Sequence, residues 1–177
     1  MRRLLMNELM SYEEMARLLE LDPRNKERDT LYLHAFSERI GEFLNRNILL
    51  DETTGREETN YREFFPKEYP VREFIELINA HTGEPLTLAK DTPVLDISRP
   101  DAHRNRAYRI EGNPEKDITV QYRIRYGYTQ EEMPALIKAC ILDLMRDRLD
   151  HLSNPDSPSL DLEDRLKDIT VYKRLYL

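Results

Sequence analysis

The chain has 177 residues, 34% of them charged, with a formal net charge of −7 and a single cysteine. That length suits one domain, or one domain with an appendage, and buries a sizeable core without help from disulfides or metal. The acidic balance argues against a protein whose main task is coating phosphate backbones, and no segment reaches the roughly 20 apolar residues of a membrane span. Arg2 and Arg3 precede Leu4 and Leu5, but Glu8 interrupts the apolar run before it resembles a signal-peptide core. The expectation is a soluble, unexported protein whose composition fits a reducing compartment.

Ser11 followed by Glu14 has the spacing of a capping box and predicts a first helix over Tyr12–Leu21, with Met15, Leu18 and Leu19 as its buried stripe. Asp22-Pro23 ends that unit, because the residue before proline is pushed out of the helical region. A second helix is predicted over Arg28–Arg46. Leu33, Phe36, Ile40, Phe43 and Leu44 recur at spacings of three and four, against a polar face of Glu38, Arg39, Glu42 and Arg46. Two apolar stripes joined by a short loop imply a packed helical pair.

From Asp51 the periodicity changes. Asp51–Thr59 carries no apolar face and reads as a polar loop. Tyr61–Phe65, Pro85–Ala89, Val94–Ile97 and Arg106–Glu111 read as short strands between turn-formers such as His81-Thr82-Gly83-Glu84 and Gly112-Asn113-Pro114. Val71–Ala80 stays open between strand and helix, since Phe74, Ile75, Leu77 and Ile78 also share one helical face.

From Ile118 the chain alternates cleanly. Val120, Tyr122, Ile124, Tyr126 and Tyr128 fall on one face, and Thr119, Gln121, Arg123 and Arg125 on the other, the pattern of a half-buried antiparallel strand. Gly127 and the polar run Thr129–Met133 form a turn, and Pro134 suits the first position of a helix, where its missing N–H costs nothing. That helix is expected to bury Leu136, Ile137, Cys140, Ile141, Leu144 and Met145. Cys140 is thus better read as a small core residue than as a nucleophile.

The run VQYRIRYGYTQEEMPALIKACILDLMRDR resembles the head-to-tail connector (adaptor) proteins of tailed bacteriophages and prophages. In those proteins a tyrosine-bearing strand ending in Gly-Tyr leads to a proline-opened helix; here the residues are Tyr122 to Tyr128, Pro134, Ile137, Lys138 and Ala139. The two N-terminal helices, the second ending FLNRNIL, are also similar, so the resemblance spans roughly residues 11 to 151. The long middle, Asp51–Asn113, and the segment after Ser153 depart from it.

The resulting expectation is an α+β fold in which the N-terminal helical pair and the long C-terminal helix form a small bundle, with a β-rich insertion between them. A connector-like domain would cover residues 1–152 (helices within 11–46, insertion 59–128, long helix 134–152). Residues 153–160, with SNPDSPS, would be a linker, and 161–177 an amphipathic arm. The resemblance implies a virion structural protein, assembled in the host cytoplasm, that forms a homo-oligomeric ring joining portal to tail. Its partners would be itself, the portal and tail-completion proteins, with DNA passing through the ring and no sequence-specific binding to it. Nothing in that role asks for catalysis, a cofactor, a metal or a membrane.

The candidate interface residues are Leu162, Leu166, Ile169, Tyr172, Leu175 and Leu177 on the arm, with Arg123 and Arg125 on the strand. The arm either docks on a neighbour or folds back over its own helices. Arg99, Arg104, Arg106, Arg109, Arg123 and Arg125 gather around two predicted strands. They raise an alternative, a small regulatory or nucleic-acid-associated module, although the tyrosines that would stack bases point to the opposite face. Asp143, Asp147 and His151 share a helical stripe with metal-ligand chemistry, but Arg146 and Arg148 alternate with them, and a solvated, ion-paired face is the simpler reading. There is no G-x-S-x-G elbow, Walker loop or G-x-G-x-x-G.

Overall fold

The computed structural model describes residues 8–90, 107–112, 117–156 and 162–172. The fold is α+β and divides into two compact units, Met1–Leu49 with Thr129–Leu177, and Leu50–Tyr128.

In the helical unit α1 spans Tyr12–Leu19 and α2 spans Lys26–Leu44, with a single 3₁₀ turn at Pro23–Asn25 between them. The Ser11 hydroxyl accepts from the Glu14 amide at 3.1 Å, satisfying one of the helix's first free N–H groups. Glu14 does not complete the capping box. Its carboxylate instead takes the ammonium of Lys138 at 2.9 Å, tying α1 to α3, which spans Ala135–Ser153. Helix α1 ends at Glu20 in the left-handed region, φ 52°, and the Leu21 amide closes onto the Ala16 carbonyl.

Helix α2 buries Leu33, Ile40 and Leu44, while Phe36 and Phe43 are half-buried. Ser37 lies in the same stripe without penalty because its hydroxyl accepts from the Leu9 amide at 3.1 Å. The helix stops at Leu44, short of the expected Arg46. Asn45 reverses the backbone at φ 55°, so Arg46 no longer follows the helical period and is 8% exposed rather than on the polar face.

Helix α3 packs against α1 and α2 and buries Ile137, Cys140, Ile141, Leu144 and Met145. Each fully buried aliphatic side chain is worth about 1.5–3 kcal/mol. Pro134 caps the helix from one position before its first residue. Leu136 in α3 and Leu18 in α1 were expected inside and are exposed; their spacing is right, but spacing does not say where along a helix its packing partner ends. The last described segment, α4 (Leu162–Lys167) with a 3₁₀ turn at Thr170–Tyr172, also packs on α3.

The β unit holds a three-stranded antiparallel sheet in the order β1 (Asp51–Glu58), β5 (Thr119–Tyr126), β3 (Val71–Asn79), and a two-stranded pair, β2 (Glu63–Phe64) with β4 (Tyr108–Arg109). Strand β1 corrects the expected polar loop: DETTGREE pairs along its whole length with β5, Asp51 opposite Tyr126 through Glu58 opposite Thr119. An edge strand need not carry an apolar face, and charge there discourages stray pairing.

Strand β3 resolves the ambiguity of Val71–Ala80. Its register slips between Val71 and Glu73 and again between Phe74 and Glu76, so Val71, Phe74 and Leu77 oppose Tyr126, Ile124 and Tyr122. Two irregularities turn the alternation of a strand into spacings of three, which imitate a helix. Pro85–Ala89 is not a strand and contributes only isolated bridges, Pro85 to Ile78 and Leu88 to Ile110. Val94–Ile97 lies outside the described residues. The β core gathers Phe64, Val71, Leu77, Tyr108, Val120, Tyr122, Ile124 and Tyr126, with Phe74 and Tyr108 in an edge-to-face contact at 4.9 Å.

Candidate functional site

The alternation of β5 sends Tyr122, Ile124 and Tyr126 into the β core and leaves Arg123 and Arg125 exposed on the outer face of the sheet. There the register sets up rows that cross all three strands. Glu52, Arg125 and Glu73 form one row, and Thr54, Arg123 and Glu76 the next. The Arg125 guanidinium donates to Glu52 at 2.8 Å and to Glu73 at 3.2 Å. The hydrogen bond to Glu52, and then the charges of Glu52 and Glu73, hold the guanidinium pKa above its ordinary value. In the next row along the sheet, Arg56 donates to the Gln121 carbonyl oxygen at 2.9 Å.

Acidic edges flanking a basic centre make a surface of mixed sign, suited to a partner that presents the complementary rows and poorly suited to a phosphate backbone. The expected gathering of six arginines does not occur on this sheet among the described residues. Arg109 stands on β4, paired with Glu63 at 2.7 Å, and Arg99, Arg104 and Arg106 lie outside the described residues.

The C-terminal segment is placed against its own chain. Leu166, Ile169 and Tyr172 are buried, at 3%, 0% and 6% exposure. The Cys140 thiol donates to the Arg165 carbonyl at 3.8 Å, and Arg165 pairs with Asp143 at 3.4 Å. Leu162 opens α4, and Leu175 and Leu177 lie outside the described residues. Burial, followed by the charges of Asp143 and Asp168, pushes the Cys140 thiol up to about 11, so it stays protonated and unreactive in the fold. Asp143 of the metal-like stripe is taken by Arg146 and Arg165.

One feature that sequence reasoning missed is the turn Asn60–Glu63. Asn60 and Glu63 exchange backbone hydrogen bonds at 2.8 and 3.0 Å, and the two residues between them, Tyr61 and Arg62, both have positive φ, 51° and 71°. Neither is glycine, asparagine or aspartate, so no turn signature announced it. The strain is held from outside. The Tyr61 amide donates to Asp117 at 3.1 Å, and the Arg62 guanidinium bonds the Gly112 carbonyl. The result is a rigid tip that presents Tyr61 at 89% exposure, with Phe65 at 54% close by in the chain.

No family model and no curated protein matches the chain. Among solved structures it matches a chain of the neck of an empty GTA (gene transfer agent, phage-like) particle computed with C6 symmetry, with a TM-score of 0.51 over 97% of this chain and 92% of that one. The fold is similar to that of a phage-like neck chain. At 12% identity the two share backbone architecture and little side-chain detail. The likeness extends beyond the segment covered by the connector motif, taking in the long middle and the C-terminal segment as well.

Proposed function

We propose that this chain is a virion structural protein, a head-tail connector that assembles as a ring of identical subunits in the neck of a phage or prophage-derived particle and joins the portal to the tail. The observation that carries this reading is the similarity, over nearly the whole chain, to a chain from a neck with sixfold symmetry. The independent resemblance of Tyr122 to Ala139 to connector proteins points the same way.

The task is physical rather than catalytic. A connector needs a rigid body, a surface that recognises a copy of itself, and surfaces for the portal on one side and tail-completion proteins on the other. The row Glu52, Arg125, Glu73, with Thr54, Arg123 and Glu76 beside it, offers register-specific recognition. A net charge of −7 is compatible with DNA passing through such a ring without sticking. The reading needs no cofactor or metal, and it locates the protein in the virion after assembly in the host cytoplasm.

Deleting the gene from its phage or prophage tests the role. Filled heads and free tails that fail to join are expected. Complete tailed particles would contradict the proposal.

A further inference from the structure

The Tyr61 tip has a counterpart elsewhere on the same chain. Where the C-terminal ends of α1 and α3 come together in the helical unit, two adjoining depressions of about 390 and 340 Å³ share Leu19, Glu20 and Leu149. Leu18 and Leu152, 46% and 42% exposed, stand at the opening. The carboxylates of Glu20 and Asp150 stand on the rim and make no ion pair or hydrogen bond among the described residues, and Asp29, 1% exposed, adds its charge to the lining. Arg28 covers only one Asp29 oxygen, at 2.8 Å, and Oδ2 has no partner. The cleft thus combines leucine walls with unspent acceptors, and it suits an aromatic ring that carries a donor and has a cation beside it.

Tyr61 and Arg62 have that chemistry. The ring is exposed and its hydroxyl is a donor, and because the turn fixes its backbone, docking need order only the side chain. We propose that the Asn60–Glu63 tip of one copy docks in the leucine cleft of the next copy, the Tyr61 ring between Leu18 and Leu152 and its hydroxyl donating to Glu20 or Asp150. A knob on one copy seated in a hole on the next, repeated head to tail, is a heterologous contact, which builds a ring where its rotation closes. This contact rests on the ring reading above and names the surfaces that would build it.

Two variants that each add one cysteine beside the contact, Asn60→Cys on the tip and Ser153→Cys on the cleft lining, keep Tyr61, Leu18 and Leu152 in place and, mixed under mild oxidation, test it. Cys140 is buried and does not compete. The expected product is a disulfide-linked pair containing one of each variant, formed faster than pairs of like variants. In parallel, Tyr61→Ala should raise the concentration at half-assembly by about thirtyfold or more, the loss expected of an aromatic anchor, and leave the thermal melt unchanged.

Wild type that assembles with Tyr61→Ala assembling equally well, or with no mixed disulfide, overturns this contact and leaves the ring reading standing. If truncation after Tyr172 abolishes assembly while Tyr61→Ala does not, assembly depends on residues 173–177 instead, and the contact is again wrong. A wild-type chain that never associates contradicts both the contact and the ring.

Discussion

Gly55 lies directly opposite Tyr122 across β1 and β5, and the tyrosine ring occupies the space a side chain at position 55 would need. A Cβ there would approach Tyr122 Cε2 to 2.8 Å and its Cζ and Oη more closely still. The phenol extends over the edge strand, and its oxygen accepts from the Lys67 amide at 3.1 Å. A polar edge strand is thereby joined to an aromatic core through the one residue that leaves room.

Gly55→Val should therefore destabilise the β unit by about 1–3 kcal/mol, through overpacking against a ring that cannot retreat. Tyr122→Phe keeps the ring and leaves the Lys67 amide without its acceptor, at about 1 kcal/mol. Denaturant melts of the two variants separate packing from hydrogen bonding. A Gly55→Val protein as stable as wild type would mean that Tyr122 does not lie over β1.

The two faces of β5 should respond unequally. Ile124→Ala removes a fully buried side chain and should cost about 2–5 kcal/mol, whereas Arg123→Ala, on the exposed face, should stay within about 1 kcal/mol. Equal losses in equilibrium unfolding would contradict the register.

The C-terminal segment belongs to the helical core in this structure, so Ile169→Ala should cost about 2–5 kcal/mol. Truncation after Asn154 should lower the melting temperature of the isolated protein. If the truncated chain melts like the intact one and loses only assembly, the segment is a docking arm that leaves its own body.

Cys140 provides a pH test. Its folded-state pKa, raised from 9.0 to about 11, means that burial favours the protonated thiol. The resulting contribution to stability is complete below about pH 9 and is lost as pH rises toward 11. Labelling by a thiol reagent at pH 8 should be slow and should follow global unfolding. Rapid labelling of the native protein would place the thiol at the surface.

How far these features could be read beforehand depended on which interactions left a periodic trace. The faces of β5 and the stripe of α3 were legible because burial imposed alternation on one and a three-to-four spacing on the other. Strand β1 was not, since its pairing is carried by backbone groups and its single inward requirement is a missing side chain at Gly55. The identity of β3 was obscured by its two register slips. The exposed tip at Tyr61 left no signal at all: its strained backbone is maintained by Asp117 and Gly112, 56 and 50 positions away from the residues they hold, and no local pattern encodes such support.

The arm showed a different limit. Leu166, Ile169 and Tyr172 announced an amphipathic segment, but a stripe specifies that something covers it and not what. Only the fold shows that α3 does so, with Arg165 fastened to Asp143 and Cys140. For the arginines, nearness along the sequence left open a single basic face if their strands were neighbours, with pairing to acids as the simpler reading; the topology puts Arg109 on a separate two-stranded sheet and sets Arg125 between two glutamates, as the simpler reading expects.

The most direct test of the connector reading is the mass of the purified chain by light scattering across a concentration series, alone and with its cognate portal. The account predicts a closed ring of identical subunits, formed at high concentration or on the portal as template. A protein that remains a strict monomer at every concentration and does not bind the portal would contradict it.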